Sequence, residues 1–124
     1  MEIDRSESRK CGAASYLEVE DLARSVDYYT DVLGFQVDMM DNGFALVSRN
    51  CVSIMFQRSE LLRDPEDGAW AGYVLVDDIE RSHREFAEKG VKITNPVADR
   101  LWGAREFEVQ DLNGHHLRFA QLVS

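Results

Sequence analysis

The chain has 124 residues, a length typical of one domain, and 44% of them are hydrophobic, enough for a folded core. The formal net charge is −9, from 23 acidic and 14 basic residues. This surplus of negative charge repels phosphate backbones, so nucleic acid is not an expected partner. The surplus is explained either by solubility alone or by a preference for a cationic ligand.

No apolar stretch approaches the roughly 20 residues of a membrane span, and the polar residues 1–11 predict an N-terminal arm rather than a signal peptide. We therefore expect a cytoplasmic protein with no membrane partner. Cys11 and Cys51 have no partner at metal-ligand spacing. In a reducing compartment they are expected to be ordinary small residues without a disulfide.

A repeat organises the rest of the chain. The segment from Tyr16 to Ser25 is matched by the segment from Tyr73 to Ser82 at a constant offset of 57 residues, with five of ten positions identical. Two copies are too few for a solenoid, so the pattern indicates a duplicated supersecondary unit.

Each copy begins as a strand and continues as a helix. In the first copy Leu17 and Val19 alternate with residues expected on the other face, which is the period of a strand. Asp21 then stands at the N-cap of a helix whose apolar spacing ends at Gly34.

The second copy repeats this order. Either Asp77 or Asp78 is expected to cap its helix, which ends at Gly90. The repeat predicts that Val74 and Val76 pack under this helix, with Ala71, Tyr73 and Leu75 on the opposite face.

Turn signals divide the remainder of each copy into three strands. Asn-Gly pairs at 42–43 and 113–114 predict hairpins between alternating apolar segments. The chain is therefore predicted to be α+β, with two tandem β-α-β-β-β modules in a single domain over 12–122. Module one covers 12–57, the linker 58–69 and module two 70–122.

Two stretches, VEDLARSVDYYTDVLGF at 19–35 and WGAREFEVQDLNG at 102–114, resemble the vicinal oxygen chelate superfamily. This superfamily contains glyoxalase I, extradiol dioxygenases, fosfomycin-resistance enzymes and bleomycin-resistance proteins. The second stretch is most similar to the bleomycin-resistance branch, although Leu112 stands where proline is usual. The resemblance implies two half-barrels with helices outside and a concave face for a ligand.

The resemblance also identifies four positions that hold a divalent metal in the superfamily enzymes. In this chain they are Ala14, Ile54 (to within one residue), Ala71 and Arg118. The first three side chains have no donor atom, and a guanidinium remains protonated and does not coordinate a metal. The resemblance therefore implies a protein with no metal cofactor, and it argues against the metal-dependent reactions of the superfamily.

Two alternatives remain open at this stage. Glu18, Glu106, Glu108 and His116 would share the concave face if their strands alternate without a break, so a superfamily enzyme (a lyase, isomerase or dioxygenase) could use displaced metal ligands. His115 points away from His116 in a strand and cannot readily chelate with it. The other alternative is an interaction or sensor module with a vestigial pocket.

The leading hypothesis is a metal-free binding protein that sequesters a cationic or aromatic antibiotic or metabolite. Flat aromatic faces and carboxylates suit such ligands through stacking and cation–π contacts. A homodimer is expected, because a half-barrel leaves apolar surface and open strand edges that a second copy can cover. Each predicted aromatic residue could instead belong to the core. The predicted ligand-binding residues are Tyr16, Glu18, Phe44, Phe56, Tyr73, Trp102, Glu106, Glu108, His116 and Arg118.

Overall fold

A computed structural model describes residues 13–60 and 70–122. The predicted arm over 1–11 and most of the predicted linker lie outside the described residues. The elements, in chain order, are β1 (Ala14–Val19), α1 (Leu22–Asp31), β2 (Gln36–Met40), β3 (Phe44–Arg49), β4 (Val52–Arg58), β5 (Trp70–Leu75), α2 (Ile79–Glu88), β6 (Lys92–Asp99), β7 (Ala104–Gln110) and β8 (His116–Leu122).

The strands form two four-stranded mixed sheets. The first sheet has the order β1-β4-β3-β2 and the second has the order β5-β8-β7-β6. In each sheet the opening strand pairs in parallel with the closing strand of its module, and the remaining pairs are antiparallel. The predicted α+β class and the two β-α-β-β-β modules are confirmed.

The helix ends follow the sequence signals. Asp21 caps α1, since its side chain accepts a hydrogen bond from the backbone N–H of Arg24 at 3.0 Å. Asp78, the second of the two predicted candidates, caps α2 in the same way. Gly34 and Gly90 have φ of +81° and +75°, and this left-handed conformation after each helix favours glycine.

The core lies between each sheet and its helix. Tyr29 of α1 packs edge-on against Phe56 of the first sheet, with ring centroids 4.8 Å apart. Phe86 of α2 packs in the same manner against Phe107 and Phe119 of the second sheet. Because strand side chains alternate, every second residue points away from the helix, onto what we term the open face of each sheet.

Contacts between the modules join their cores. The hydroxyl of Tyr29 donates a buried 2.5 Å hydrogen bond to Asp111 Oδ2 in the β7–β8 turn. In the reciprocal position, the guanidinium of Arg49, which ends β3 at the β3–β4 turn, lies 5.9 Å from the ring centre of Phe86 in α2 and 5.3 Å from that of Phe119. Each module thus contributes a turn that packs beside the helix of the other.

One expectation about the cysteines is wrong. Cys51 is disulfide-bonded, while Cys11, the other cysteine of the sequence, lies outside the described residues. Disulfides are rare in reducing compartments, so this bond argues against the predicted cytoplasmic location. The location itself stays a prediction. Across the described ranges, no helix is long and apolar enough to span a bilayer.

The buried bond between the modules gives a stability prediction. Tyr29→Phe removes the donor to Asp111 Oδ2, and we expect the free energy of unfolding to fall by roughly 1–3 kcal/mol. Denaturant titration measures the loss. Tyr28→Phe is the matched control, because that half-buried neighbour has no side-chain hydrogen bond in the described structure. Equal stability of the two variants would contradict the inferred role of the bond.

Candidate functional site

The open face of the second sheet brings together most of the predicted polar residues. In the β7–β8 pairing, Glu108 lies opposite Arg118, and Gln110 lies opposite His116. Glu106 is two residues from Glu108 and therefore points the same way. The alternation that buries Phe107, Val109, Leu117 and Phe119 under the helix places this set on the opposite side of the sheet.

Glu106 is fully buried among three donors. The Tyr73 hydroxyl donates to Oε2 at 2.6 Å. Arg100 Nε and Arg118 Nη1 donate to Oε1 at 3.1 and 2.5 Å. Both oxygens of this carboxylate are therefore engaged by neighbouring side chains.

Glu108 is engaged to the same extent. Arg118 Nε donates to Oε1 at 3.1 Å. Thr94 Oγ1 donates to Oε2 at 2.8 Å, and His116 Nδ1 lies 3.1 Å from the same oxygen. Arg118 therefore bridges two carboxylates, and we name the group of Arg100, Glu106, Glu108, His116 and Arg118 the ion-pair cluster.

The cluster keeps its carboxyl groups ionised. Burial by itself raises the pKa of Glu106, but hydrogen bonds from Tyr73 and Arg118 and the charge of Arg118 outweigh it, so the pKa lies below its usual value of 4.5. The pKa of Glu108 is also lowered, with burial opposed by Thr94 and Arg118. Burial and the hydrogen bond to Glu106 raise the pKa of Tyr73.

Aromatic side chains border the cluster. Trp70 stacks on Tyr73 with centroids 5.8 Å apart, and the guanidinium of Arg118 lies 4.2 Å from the centre of the Trp70 ring. The side chain of Trp102, in the β6–β7 turn, is close enough to the Tyr73 hydroxyl to lower its pKa. Trp70 and Trp102 are 44% and 63% exposed, so both offer aromatic surface to solvent.

Sequence reasoning missed Trp70 and misplaced Ala71, for one reason. The β5–β8 pairing is irregular between Trp70 and Gly72, which shifts the alternation by one residue. Trp70 therefore shares a face with Tyr73, and Ala71 is buried in the core rather than lying on the opposite face as predicted. An isolated glycine within a strand is a known signal for such a bulge, and Gly72 supplied it.

The remaining predicted residues lie on the first sheet. Tyr16 is opposite Met55, and Glu18 and Phe44 are both opposite Gln57, which places all three on that sheet's open face. Phe56 does not join them, because it is fully buried against Tyr29. The ten predicted residues thus divide between two faces, with one in the core.

The residues at the superfamily's metal positions do not fit a divalent metal. Ile54 is fully buried and Ala71 nearly so, both away from the open faces, and Ala14 carries no donor. Arg118 is bound to both glutamates. Among residues 13–60 and 70–122, no three His, Cys, Asp or Glu side chains form a group able to hold a metal ion.

A cavity of about 640 Å³ lies elsewhere, between the start of α1 and the β2–β3 hairpin. None of the predicted ligand-binding residues lines it. Two of its carboxylates already have structural roles: Asp21 caps α1, and Asp41 accepts the N–H groups of Gly43 and Phe44. We therefore take the open face of the second sheet as the candidate site.

Comparison with known proteins agrees with this fold. The family model of the Glyoxalase/Bleomycin resistance protein/Dioxygenase superfamily matches residues 14–119. The uncharacterized protein YraH of Bacillus subtilis (strain 168) is 28% identical over 109 residues, which cover 77% of this chain and 85% of that protein.

Two solved structures are similar over nearly their whole length. TioX from Micromonospora sp. ML1 superposes with a TM-score of 0.73 at 23% identity, over 90% of this chain and 96% of that one. The bleomycin-binding protein from Streptomyces verticillus, complexed with copper(II)-bleomycin, gives 0.67 at 27% identity, over 91% and 95%.

The lowered pKa of Glu106 predicts how acid unfolds the protein. A carboxyl group whose pKa is lower when folded stabilises the fold above its unfolded pKa, and that stabilisation is lost as pH falls through the folded value. Tyr73→Phe removes a donor that keeps this pKa low, so its acid-unfolding midpoint, followed by circular dichroism, should lie at higher pH than the wild-type midpoint. Tyr16→Phe, on the other sheet, is the control. A Tyr73→Phe midpoint equal to that of this control would refute the proposed role of Tyr73.

Proposed function

Because the chain belongs to the Glyoxalase/Bleomycin resistance protein/Dioxygenase superfamily, we propose that it binds and sequesters a small planar aromatic molecule on the open face of the second sheet. The observation that carries this proposal is the pair of exposed indoles: Trp70 lies against the guanidinium of Arg118, and Trp102 lies beside the Tyr73 hydroxyl. Large aromatic groups left in solvent beside a satisfied polar cluster are typical of ligand sites.

The fixed geometry of the cluster supports binding. Arg118 is held by two carboxylates and lies against Trp70, and Tyr73 is held by Glu106. A site whose side chains are already fixed loses little conformational entropy when a ligand docks. The side chains of the site are therefore already ordered before the ligand binds.

The bleomycin-binding protein of Streptomyces verticillus, as its name states, binds bleomycin, and it is 27% identical to this chain. This similarity supports small-molecule binding as the function of the present protein. The side chains at the superfamily's metal positions offer no donor atom to a divalent metal, which supports binding without one. We accordingly favour sequestration over a reaction that uses displaced metal ligands.

The part of the hypothesis that concerned a cationic ligand loses its main support. It rested on Glu106 and Glu108, but all four oxygens of these carboxylates accept hydrogen bonds from the protein itself. Glu18, on the first sheet, is the predicted carboxylate that has no side-chain partner within the described ranges. The proposal therefore depends on aromatic stacking.

We also propose that the protein is a homodimer. Four large apolar side chains of β1 and β2 are between 45% and 57% exposed, namely Tyr16, Val37, Met39 and Met40. β1 and β2 are the two edge strands of the first sheet, and exposed apolar side chains at open sheet edges offer surface that a second copy of the chain can cover. The surface covered in the dimer would lie next to the open faces. The ligand cleft would then lie at or near the interface between the two copies.

Binding is tested with the intrinsic fluorescence of the protein, because its two tryptophans both lie at the candidate site. The probes are bleomycin and a naphthalene series consisting of neutral 2-naphthamide, anionic 2-naphthoate and cationic 2-naphthylmethylammonium. Trp102→Ala should weaken binding by about 1–3 kcal/mol, as truncation of a stacking aromatic does. Folding stability should change little, since this side chain is mostly exposed.

Leu101→Ala is the matched control, because Leu101 is the fully exposed neighbour in the same turn. The titrations are repeated with protein dialysed against a chelator, and we expect unchanged affinity. Affinity that disappears with the chelator would favour the metal-using enzyme instead. Absence of saturable binding by all four probes would contradict the proposed function.

Light scattering tests the homodimer. We expect twice the mass of one chain at micromolar concentration. Met39→Glu places a charge among the exposed apolar side chains of the β2 edge and should shift the protein toward the monomer. Ala23→Glu, which adds the same charge on the exposed side of α1, should not. A wild-type monomer at these concentrations would rule out the dimer.

A further inference from the structure

The ion-pair cluster uses up its acceptors and leaves donors unused. Every oxygen of Glu106 and Glu108 is turned to a donor of the protein. By contrast, Arg118 Nη2 and both Nη groups of Arg100 have no hydrogen-bond partner within the described part of the chain. A guanidinium carries five N–H donors and no acceptor. The groups still available at this face are therefore mainly hydrogen-bond donors.

Accessibility distinguishes the two arginines. The Arg118 side chain is 15% exposed and lies deep between the glutamates, whereas the Arg100 side chain is 30% exposed. Only Nε of Arg100 is committed, to Glu106 Oε1 at 3.1 Å. This single contact holds the guanidinium at the rim of the site and leaves its outer edge open to solvent.

The local charge also differs from the charge of the whole protein. Two carboxylates face two guanidiniums within the cluster, so their charges cancel. The net charge of −9 is spread over the chain. At physiological ionic strength its field is screened beyond about 8 Å, and contacts at the site decide which ligands are preferred.

We propose that the site takes a planar aromatic anion, with its ring on the exposed indoles of Trp70 and Trp102 and its acidic oxygens on the outer edge of Arg100. This inference rests on the proposed function and specifies its ligand class. A guanidinium pairs with a carboxylate or an equivalent oxyanion through two parallel N–H···O bonds. The direction of charge preference is the opposite of the one that the acidic composition suggests.

The naphthalene series tests the charge preference while the ring is held constant. At physiological salt, 2-naphthoate should bind at least about tenfold more tightly than 2-naphthylmethylammonium, the factor expected from one added charge-assisted hydrogen bond. Arg100→Gln should reduce the ratio of the two affinities to about one, and because the ratio is taken within one variant, any loss shared by the whole series cancels. Arg100→Lys keeps the positive charge and should retain part of the preference.

Arg105→Gln is the matched control. Arg105 precedes Glu106 on β7, points to the other side, and makes ion pairs with Glu80 and Asp99. Its loss removes the same charge and more contacts than Arg100 makes, and the preference for 2-naphthoate should persist. Equal affinities, a preference for the cation, or an Arg100→Gln protein that still prefers the anion would each overturn the inference. In those cases the proposed function still stands, whereas failure of the whole series and of bleomycin to bind defeats both.

Discussion

Arg118 bridges two carboxylates that are almost wholly removed from water, and the arrangement of the candidate site depends on those two contacts. Glu106 and Glu108 would repel each other if the cation between them were absent, and burying an unpaired charge is costly. Removal of one partner from a buried pair typically costs about 3–5 kcal/mol. The same guanidinium lies against Trp70 and so fixes the aromatic side of the site as well. Both the polar and the aromatic halves of the face thus depend on one side chain.

The two modules share a fold but differ in what their open faces offer. Their cores are equivalent: Tyr29 occupies in the first module the position that Phe86 occupies in the second, and each packs against its own sheet. The open face of the first sheet carries apolar groups such as Met39 and Tyr16, while the second sheet carries the ion-pair cluster. Duplication therefore accounts for the architecture, and divergence on the open faces accounts for the site.

Much of the fold could be predicted because local signals and the repeat agreed. The helix cap at Asp21, the turn at 113–114 and the alternation of Leu17 and Val19 each depend on neighbouring residues alone. The site was less predictable, because the face on which a strand residue lies depends on register. A one-residue error of this kind put Phe56 in the predicted ligand site instead of the core.

Charge was the hardest feature to predict. The sequence contains Glu106 and Glu108, but it does not show that their oxygens are met by Tyr73, Thr94 and two arginines. Composition counts charges, whereas binding depends on which charges remain available after the fold has paired them. Arg100 drew no attention in the sequence, because its importance comes only from its contact with Glu106 across the β6–β7 turn.

The central claim is that ligands dock on the open face of the second sheet, and the indole N–H signals of the protein test it most directly. The chain has two tryptophans, Trp70 and Trp102, so a ¹H–¹⁵N correlation spectrum of the full chain contains two indole signals. Titration with 2-naphthoate and with bleomycin should move both signals along one saturable curve for at least one of the two compounds. Saturable binding of either compound, detected by calorimetry, that leaves both indole signals unmoved would place the ligand elsewhere and contradict the account.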